Sequence, residues 1–350
     1  RSTPEKAFQS DVDIIITETL NHIKVTGVTI VLYGGYGRNE GGWIEKNGSY
    51  FPYNDYDIIL VVENILRTDK NRIINELKKK LLSLIKIRFI DISIYEFNKL
   101  RKLKNSVFNI DLVKGSKVIY GQKDIFKNIN YLKESKVPII EAEYLFFTRS
   151  WVFSGGVSVH QDDQTFAMTQ LAKAIFAIVD ACLIAENGYT SLYRDKVSNY
   201  QQLESLQGKT KFLGLVYWAH RQRLAPKDTF DATGMTYEDA VSEVRIQYKN
   251  IFLNLFSKKY GISFSTVRSY VIFNSYFSRS IVGRLLRYLP LGYSLKEAMF
   301  RKIIFGLNLS YQLGEMSISE LETDLIDAFR FFKVDGEDPL LKAFLVANEL

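Results

Sequence analysis

Hydrophobic positions recur at helical spacing over residues 10–24, where Val12, Ile15, Ile16, Leu20 and Ile23 fall on one face. After Gly27 the pattern changes. Val28 to Tyr33 is a β-branched run that predicts a strand, and it stops abruptly at Gly34-Gly35. A polar, glycine-rich stretch reads as a loop and leads to a second predicted strand, Tyr56 to Val62. Residues 64–86 return to helical spacing through Ile65, Leu66, Ile73, Ile74, Leu77, Leu81 and Leu84. A third strand over Ile87 to Tyr95 and a short fourth at Val118-Ile-Tyr120 complete a mixed α/β unit.

Beyond residue 140 the period is helical almost throughout. Leu171, Ala174, Ile175, Ile178, Val179, Cys182 and Ile184 give residues 164–187 a broad apolar face that ends at Asn187-Gly188. Further helices are predicted over 200–224, 236–258, 265–289, 294–313 and 317–333, a bundle with short connections. The division falls at residue 140, into 1–140 and 141–350.

Composition narrows the class. The 350 residues are 47% hydrophobic, with 24 Phe and 21 Tyr, which excludes a disordered or low-complexity chain. Cys182 is the single cysteine, so a disulfide framework and a four-thiolate metal site are both excluded. A reducing, cytoplasmic setting is the expectation. No run of about 18 apolar residues occurs, and none is expected to span a membrane. The first residues, Arg1-Ser-Thr-Pro-Glu5, have neither the apolar centre nor the methionine of a signal peptide.

The net charge of +7 is unevenly placed. Seven basic residues against Glu297 occupy Arg268 to Lys302, and eight acids against two bases occupy Glu315 to Asp338. Charge exchange between neighbouring helices accounts for the pair; a face for a polyanion is the sharper alternative.

The candidate chemistry lies in residues 33–91. Asp55-Tyr56-Asp57 opens a predicted strand, so both carboxylates project to one side while Tyr56 and Ile58 take the other. Two anions held that close need a cation or a shared proton, and a hard divalent metal such as Mg²⁺ meets the need. An isolated D-x-D is also common as a solvated turn. Asp91 sits between Ile90 and Ile92 in the third strand, and a buried acid is rare without a partner. A third place in a carboxylate cluster or a salt bridge to a lysine or arginine would supply one. Tyr33-Gly34-Gly35-Tyr36-Gly37-Arg38 lies at a strand end, where glycines let backbone amides approach a phosphate and Arg38 can neutralise charge.

Leu32-Tyr33-Gly34-Gly35, Asp55-Tyr56-Asp57-Ile58 and Ile90-Asp91-Ile92, in that order, resemble the motifs of the DNA polymerase β-like nucleotidyltransferase superfamily, of the minimal or aminoglycoside type. Ile119-Tyr120-Gly121 is similar to the close of many small members, and the likeness covers residues 10–125. Two departures stand out: Gly35 takes a position that is often serine, and the 19 residues between Gly35 and Asp55 exceed the usual spacer. That insertion, with Arg38, Glu40, Gly41, Gly42 and Trp43, reads as a loop over the nucleotide.

The resemblance implies an α+β chain: a small mixed-sheet nucleotidyltransferase domain over 1–140, then a C-terminal α-helical bundle. It implies that Asp55, Asp57 and Asp91 hold Mg²⁺ or Mn²⁺. Gly34 and Gly35 would position the β- and γ-phosphates of an NTP, ATP by default, with Arg38 as a helper. A hydroxyl acceptor would attack the α-phosphate and pyrophosphate would leave. A small-molecule, sugar or glycan acceptor comes first; a protein hydroxyl, a nucleic-acid 3′ end and an inactive nucleotide-binding scaffold are the alternatives. The sequence does not set the oligomeric state.

Lys173, Arg194 and Lys196 are weaker candidates to reach a triphosphate, and a solvated helix face is the alternative for each. His22 reads as a helix-face residue and His160, beside Asp162-Asp163, as a possible substrate contact. Trp151, Tyr217 and Trp218 read as bundle core.

Overall fold

A computed structural model describes all residues except 1–2, 24–26, 64–66, 154–162, 204–208, 233, 280–292, 322 and 326–350. The chain is α+β and forms two compact units: residues 1–138 with 186–203 and 220–227, and the remainder. Two short segments of the helical half thus belong with the sheet.

The first unit is built on a four-stranded mixed sheet. Its strands are β1 (Thr29–Tyr33), β4 (Tyr56–Val62), β5 (Ile90–Glu96) and β6 (Lys117–Tyr120), in the order β5-β4-β1-β6. β1 is antiparallel to β4 and β6, and β4 is parallel to β5. Because β1 runs against β4 while β5 runs with it, the C-terminal end of β1 meets the N-terminal ends of β4 and β5 at one edge of the sheet. Every candidate site residue from this unit lies at or next to that edge.

Helices α1 (Pro4–His22) and α3 (Arg67–Leu84) cover one face. Thr3 caps α1 through Lys6 N–H, and Pro4 at the first helical position is pre-set for the helix. Ile15 from α1 and Leu77 and Leu81 from α3 pack with Ile30, Leu32, Ile58, Leu60, Ile90 and Ile92, all nearly devoid of solvent exposure. Tyr56 points into this same layer, where its hydroxyl donates to Asp11 Oδ2 at 3.0 Å; both residues are fully buried. With Tyr56 anchored inward, period-two alternation sends Asp55 and Asp57 to the opposite face.

The expected loop between β1 and β4 is instead largely structured. A single helical turn, α2 (Gly34–Gly37), is followed by the hairpin β2 (Trp43–Lys46) and β3 (Ser49–Pro52). Asn47 and Gly48 form its two-residue turn with φ of 52° and 72°. An Asn-Gly pair suits that left-handed turn, and it was the local signal for the hairpin. Tyr36 packs among Phe8, Trp43 and Tyr56 and donates to the Gly42 carbonyl. A Cβ at Gly41 would lie 2.1 Å from the Tyr36 ring, so glycine is required there.

The segment 186–203 is held to the turn after β1 and to α5 (Val107–Lys114) through a buried polar network. Glu40 accepts from the N–H groups of Tyr193 (3.0 Å) and Arg194 (3.4 Å), the first residues of α8 (Tyr193–Gln202), which has no side-chain cap of its own. An anion at a helix N-terminus is well placed against the exposed N–H groups. Arg38 pairs with Glu40 at 3.4 Å and with Asp111 at 3.3 Å, on α5, and Asp111 also accepts from Tyr189 Oη at 2.8 Å.

The second unit is helical. α6 (Ile140–Arg149), α7 (Gln164–Ala185), α10 (Tyr237–Tyr260), α11 (Val267–Arg279) and α12 (Tyr293–Gln312) pack around Phe146, Tyr248, Phe252, Phe256 and Tyr270. α10 starts at a Thr236–Asp239 capping box and stops at Gly261, whose φ is 65°. The continuous helix expected over 200–224 is two: α8 and α9 (Lys209–Leu224). The 317–333 helix is seen at 318–321 and 323–325, and its remainder, like the 280–289 end of the 265–289 helix, lies outside the described residues.

α7 is, among the described residues, the one helix long and apolar enough to cross a membrane, although Lys173 and Asp180 interrupt its apolar run. Within its unit 94% of its most apolar window is buried, so this composition serves a core helix. Cys182 lies on it and is buried, as packing required.

Two stability outcomes follow from the polar network. Glu40→Ala should cost about 3 kcal/mol in urea unfolding, because it removes one of the two carboxylates that Arg38 engages and uncaps α8 together. His220 Nε2 is buried with no partner among the described residues, and burial lowers the imidazole pKa against an opposing effect of Glu40. The native state therefore favours neutral His220. Stability should be full above the unfolded value of about 6.5 and fall as pH drops below it, and His220→Asn should flatten that slope in melting experiments between pH 7.5 and pH 5.5 (roughly one unit either side).

Candidate metal centre

The three aspartates come together. Asp55, Asp57 and Asp91 each offer a carboxylate oxygen, and these oxygens lie within 4.8 Å of one another. The strand register explains it. Asp57 is the Cα partner of Asp91 on β5 and of Tyr33 on β1, and Asp55 precedes β4 on the same side as Asp57.

Asp91 corrects one expectation. It is not a buried acid: its side chain is 62% exposed, and Lys78 on α3 approaches at 3.5 Å, itself 38% exposed. The apolar neighbours Ile90 and Ile92 face the core layer, and alternation turns Asp91 outward. So exposed an ion pair contributes little to stability and leaves the carboxylate free to exchange partners.

Gly34 carries the geometry from β1 to the carboxylates. Its φ is 67°, and a Cβ there would stand 2.0 Å from Asp57 Oδ2. Both constraints demand glycine, and the second exists only because Asp57 points at this turn. Gly35 is buried in α2 against Gly41 and Glu40.

Arg38 is committed elsewhere. Its side chain is 7% exposed, engaged with Glu40 and Asp111, and its guanidinium lies 5.1 Å from the centre of the Tyr193 ring. Lys196 and Arg223 approach the same ring at 5.4 Å each. Of the other basic candidates in this unit, Lys196 is buried beside Tyr189, and Arg194 is exposed with Asp195 3.5 Å away. Lys173 lies on α7 in the second unit.

In the second unit Arg268, first of the basic segment, is paired with Glu320 at 2.8 Å and Asp324 at 3.0 Å. At that residue, the basic and acidic segments neutralise each other. Trp218 is buried against Phe230, Tyr217 is exposed, and His22 sits on the α1 surface with its ring on the Glu18 carbonyl. His160 and Trp151's side chain lie outside the described residues.

Residues that sequence reasoning passed over adjoin the cluster: Tyr33, Tyr95 and Phe108. Burial raises the pKa of the Tyr33 phenol above its usual range, and Asp57, Asp91, Tyr95 and Asp55 add to the shift. Phe108 on α5 contacts Tyr33 edge-on, with centroids 5.6 Å apart. Their signal was the strand phase, since Tyr33 and Tyr95 share the face of Asp57 and Asp91.

A set of carboxylate oxygens, open to solvent at Asp91, suits a hard divalent cation such as Mg²⁺ or Mn²⁺ and is poor for zinc or copper, which favour nitrogen and sulfur. No protein-family model matches the chain, and no curated protein matches it significantly.

Gly34→Ala should displace the Asp57 carboxylate and cost about 1–2 kcal/mol for the left-handed backbone. Thermal melting and Mn²⁺ titration by electron paramagnetic resonance should show a modest loss of stability with a larger loss of metal affinity.

Proposed function

We propose that the chain is a metal-dependent nucleotidyltransferase, moving an NMP from an NTP to a hydroxyl acceptor with release of pyrophosphate. The observation that carries this reading is the meeting of Asp55, Asp57 and Asp91 at a sheet edge, beside a glycine turn shaped around Asp57. The order of the three motifs along the chain and the resemblance they bear to the polymerase β-like superfamily support it further.

Asp55, Asp57 and Asp91 would hold the metal. When bound, it neutralises phosphate charge and lowers the pKa of a coordinated hydroxyl. The turn Gly34–Gly37 offers backbone N–H groups next to the carboxylates for the phosphate oxygens, without a side chain in the way. Asp91, the most exposed of the three, takes the proton of the acceptor hydroxyl. The acceptor oxygen bonds to the α-phosphorus as the α–β phosphoanhydride bond breaks, and the electron pair leaves with pyrophosphate. Arg38 has a different part from the one the resemblance implied: it pins the α2 turn to α5 and α8.

The donor is ATP by default, and a small-molecule, sugar or glycan hydroxyl is the favoured acceptor. The single, buried Cys182 suits a reducing cytoplasm. The pairing of Arg268 with acids weakens the case for a nucleic-acid acceptor.

Asp57→Asn should abolish pyrophosphate release and label transfer from α-labelled ATP with Mg²⁺ or Mn²⁺ and host-cell extract as the acceptor pool. Its melting temperature should stay within a few degrees of wild type, since a half-exposed carboxylate contributes little to the core. Wild-type turnover in this variant would sink the reading.

A further inference from the structure

Beyond the carboxylates, the same sheet face carries a strip with no assigned role. Tyr33, Asp57 and Asp91 stand side by side on three adjacent strands. Directly opposed residues on neighbouring strands hold their side chains close together on one face. Tyr95 lies on that face of β5, four residues beyond Asp91, with Ser93 between them. Tyr33 is half-buried, its ring steadied edge-on by Phe108, and Phe108 is 42% exposed.

The Tyr33 hydroxyl has no hydrogen-bond partner among the described residues. A phenol carries its proton at neutral pH and can donate. A neutral donor next to three acidic groups, and without an acceptor among the described residues, is placed for something that arrives at the carboxylates. The strip is otherwise aromatic or hydroxylic. Lys78 stands against Asp91 at 3.5 Å.

Resting on the nucleotidyltransferase reading, we propose that Tyr33, Tyr95 and Phe108 form the acceptor-recognition wall, and that the acceptor is a neutral polyhydroxylated ring of the sugar type. Such a ring has an apolar C–H face and a rim of hydroxyls. The C–H face lies on Phe108 and the Tyr33 ring. The Tyr33 hydroxyl donates to a ring oxygen next to the attacking hydroxyl, which fixes the attacking group without lowering its nucleophilicity. A polyanionic acceptor would meet the repulsion of three carboxylates on this wall.

The test uses the full chain, α-labelled ATP, Mn²⁺ and the small-molecule ultrafiltrate of a host-cell extract. Half of the ultrafiltrate is first treated with periodate, which cleaves vicinal diols, and then quenched. Transfer that depends on Asp57 and is lost after periodate is the expected result. In Tyr33→Phe the ratio of free AMP to transferred label should rise about tenfold or more, through a higher KM for the ultrafiltrate acceptor, because one hydrogen bond to the acceptor is gone. Phe108→Ala should move the same ratio in the same direction. Mn²⁺ binding and melting of Tyr33→Phe should match wild type, which separates acceptor recognition from a structural effect. An unchanged ratio in Tyr33→Phe, periodate-resistant transfer, or label found in protein or nucleic acid alone would overturn the wall while leaving nucleotidyl transfer standing. Absence of any Asp57-dependent turnover in wild type would overturn both.

Discussion

The hydrogen bond from Tyr56 to Asp11 sets the phase of the strand on which the site is built. Both groups lie in the dry layer between α1 and the sheet, where an unmade hydrogen bond costs about 1–3 kcal/mol. Turning β4 over would strand both and expose Ile58 and Leu60. Because Tyr56 is held inward, Asp55 and Asp57 are held outward. The register with β5 then brings Asp91 alongside. At 4.8 Å and an effective dielectric of about 20, two such charges repel by roughly 3 kcal/mol, less where Asp91 meets solvent. A hydrophobic core of ordinary kind thus maintains a charge cluster that would otherwise spread apart, and a divalent cation is the simplest group to relieve it.

The turn after β1 serves two ends within the seven residues Gly34 to Glu40. Its first part, at Gly34, clears space for the Asp57 carboxylate. Its later part, at Arg38 and Glu40, grips α5 and the start of α8. Tyr36 lies between, buried among aromatic rings, so the two parts move as one piece. A buried ion-pair network is weak evidence for stability, but it specifies which segments meet. Here it joins residues 186–203, distant in sequence, to the turn that shapes the site.

The helical unit shows how little composition says about environment. α7 is apolar enough for a membrane and is instead enclosed by α6, α10 and their aromatic side chains. Several polar groups in that interior are paired: Tyr248 donates to the Phe146 carbonyl, Tyr270 to Glu143, and Asn308 to Ser150. These bonds select one packing among the many that a set of interchangeable aromatic rings would allow.

Periodicity is local, and what it governs could be read directly from the sequence. β4 runs from Tyr56 to Val62 as its uninterrupted apolar pattern required, and α3 and α10 follow their apolar stripes to within a few residues, while α1 begins at Pro4, ahead of the stripe that starts at residue 10. The sides taken by Tyr56 and by the two aspartates follow from the same alternation. The Asn47-Gly48 hairpin was also legible, but the surrounding glycines masked it as a loop. Tertiary structure decided the rest. Asp91 is exposed because the far face of β5 is not covered at that position, and Arg38 is occupied because Asp111 lies 73 residues away in sequence and next to it in space. The attachment of α8 to Glu40 depends on a partner that no spacing rule connects. Side-chain phase is set by bonded neighbours along the chain, whereas exposure and charge pairing are set by whatever the fold brings alongside.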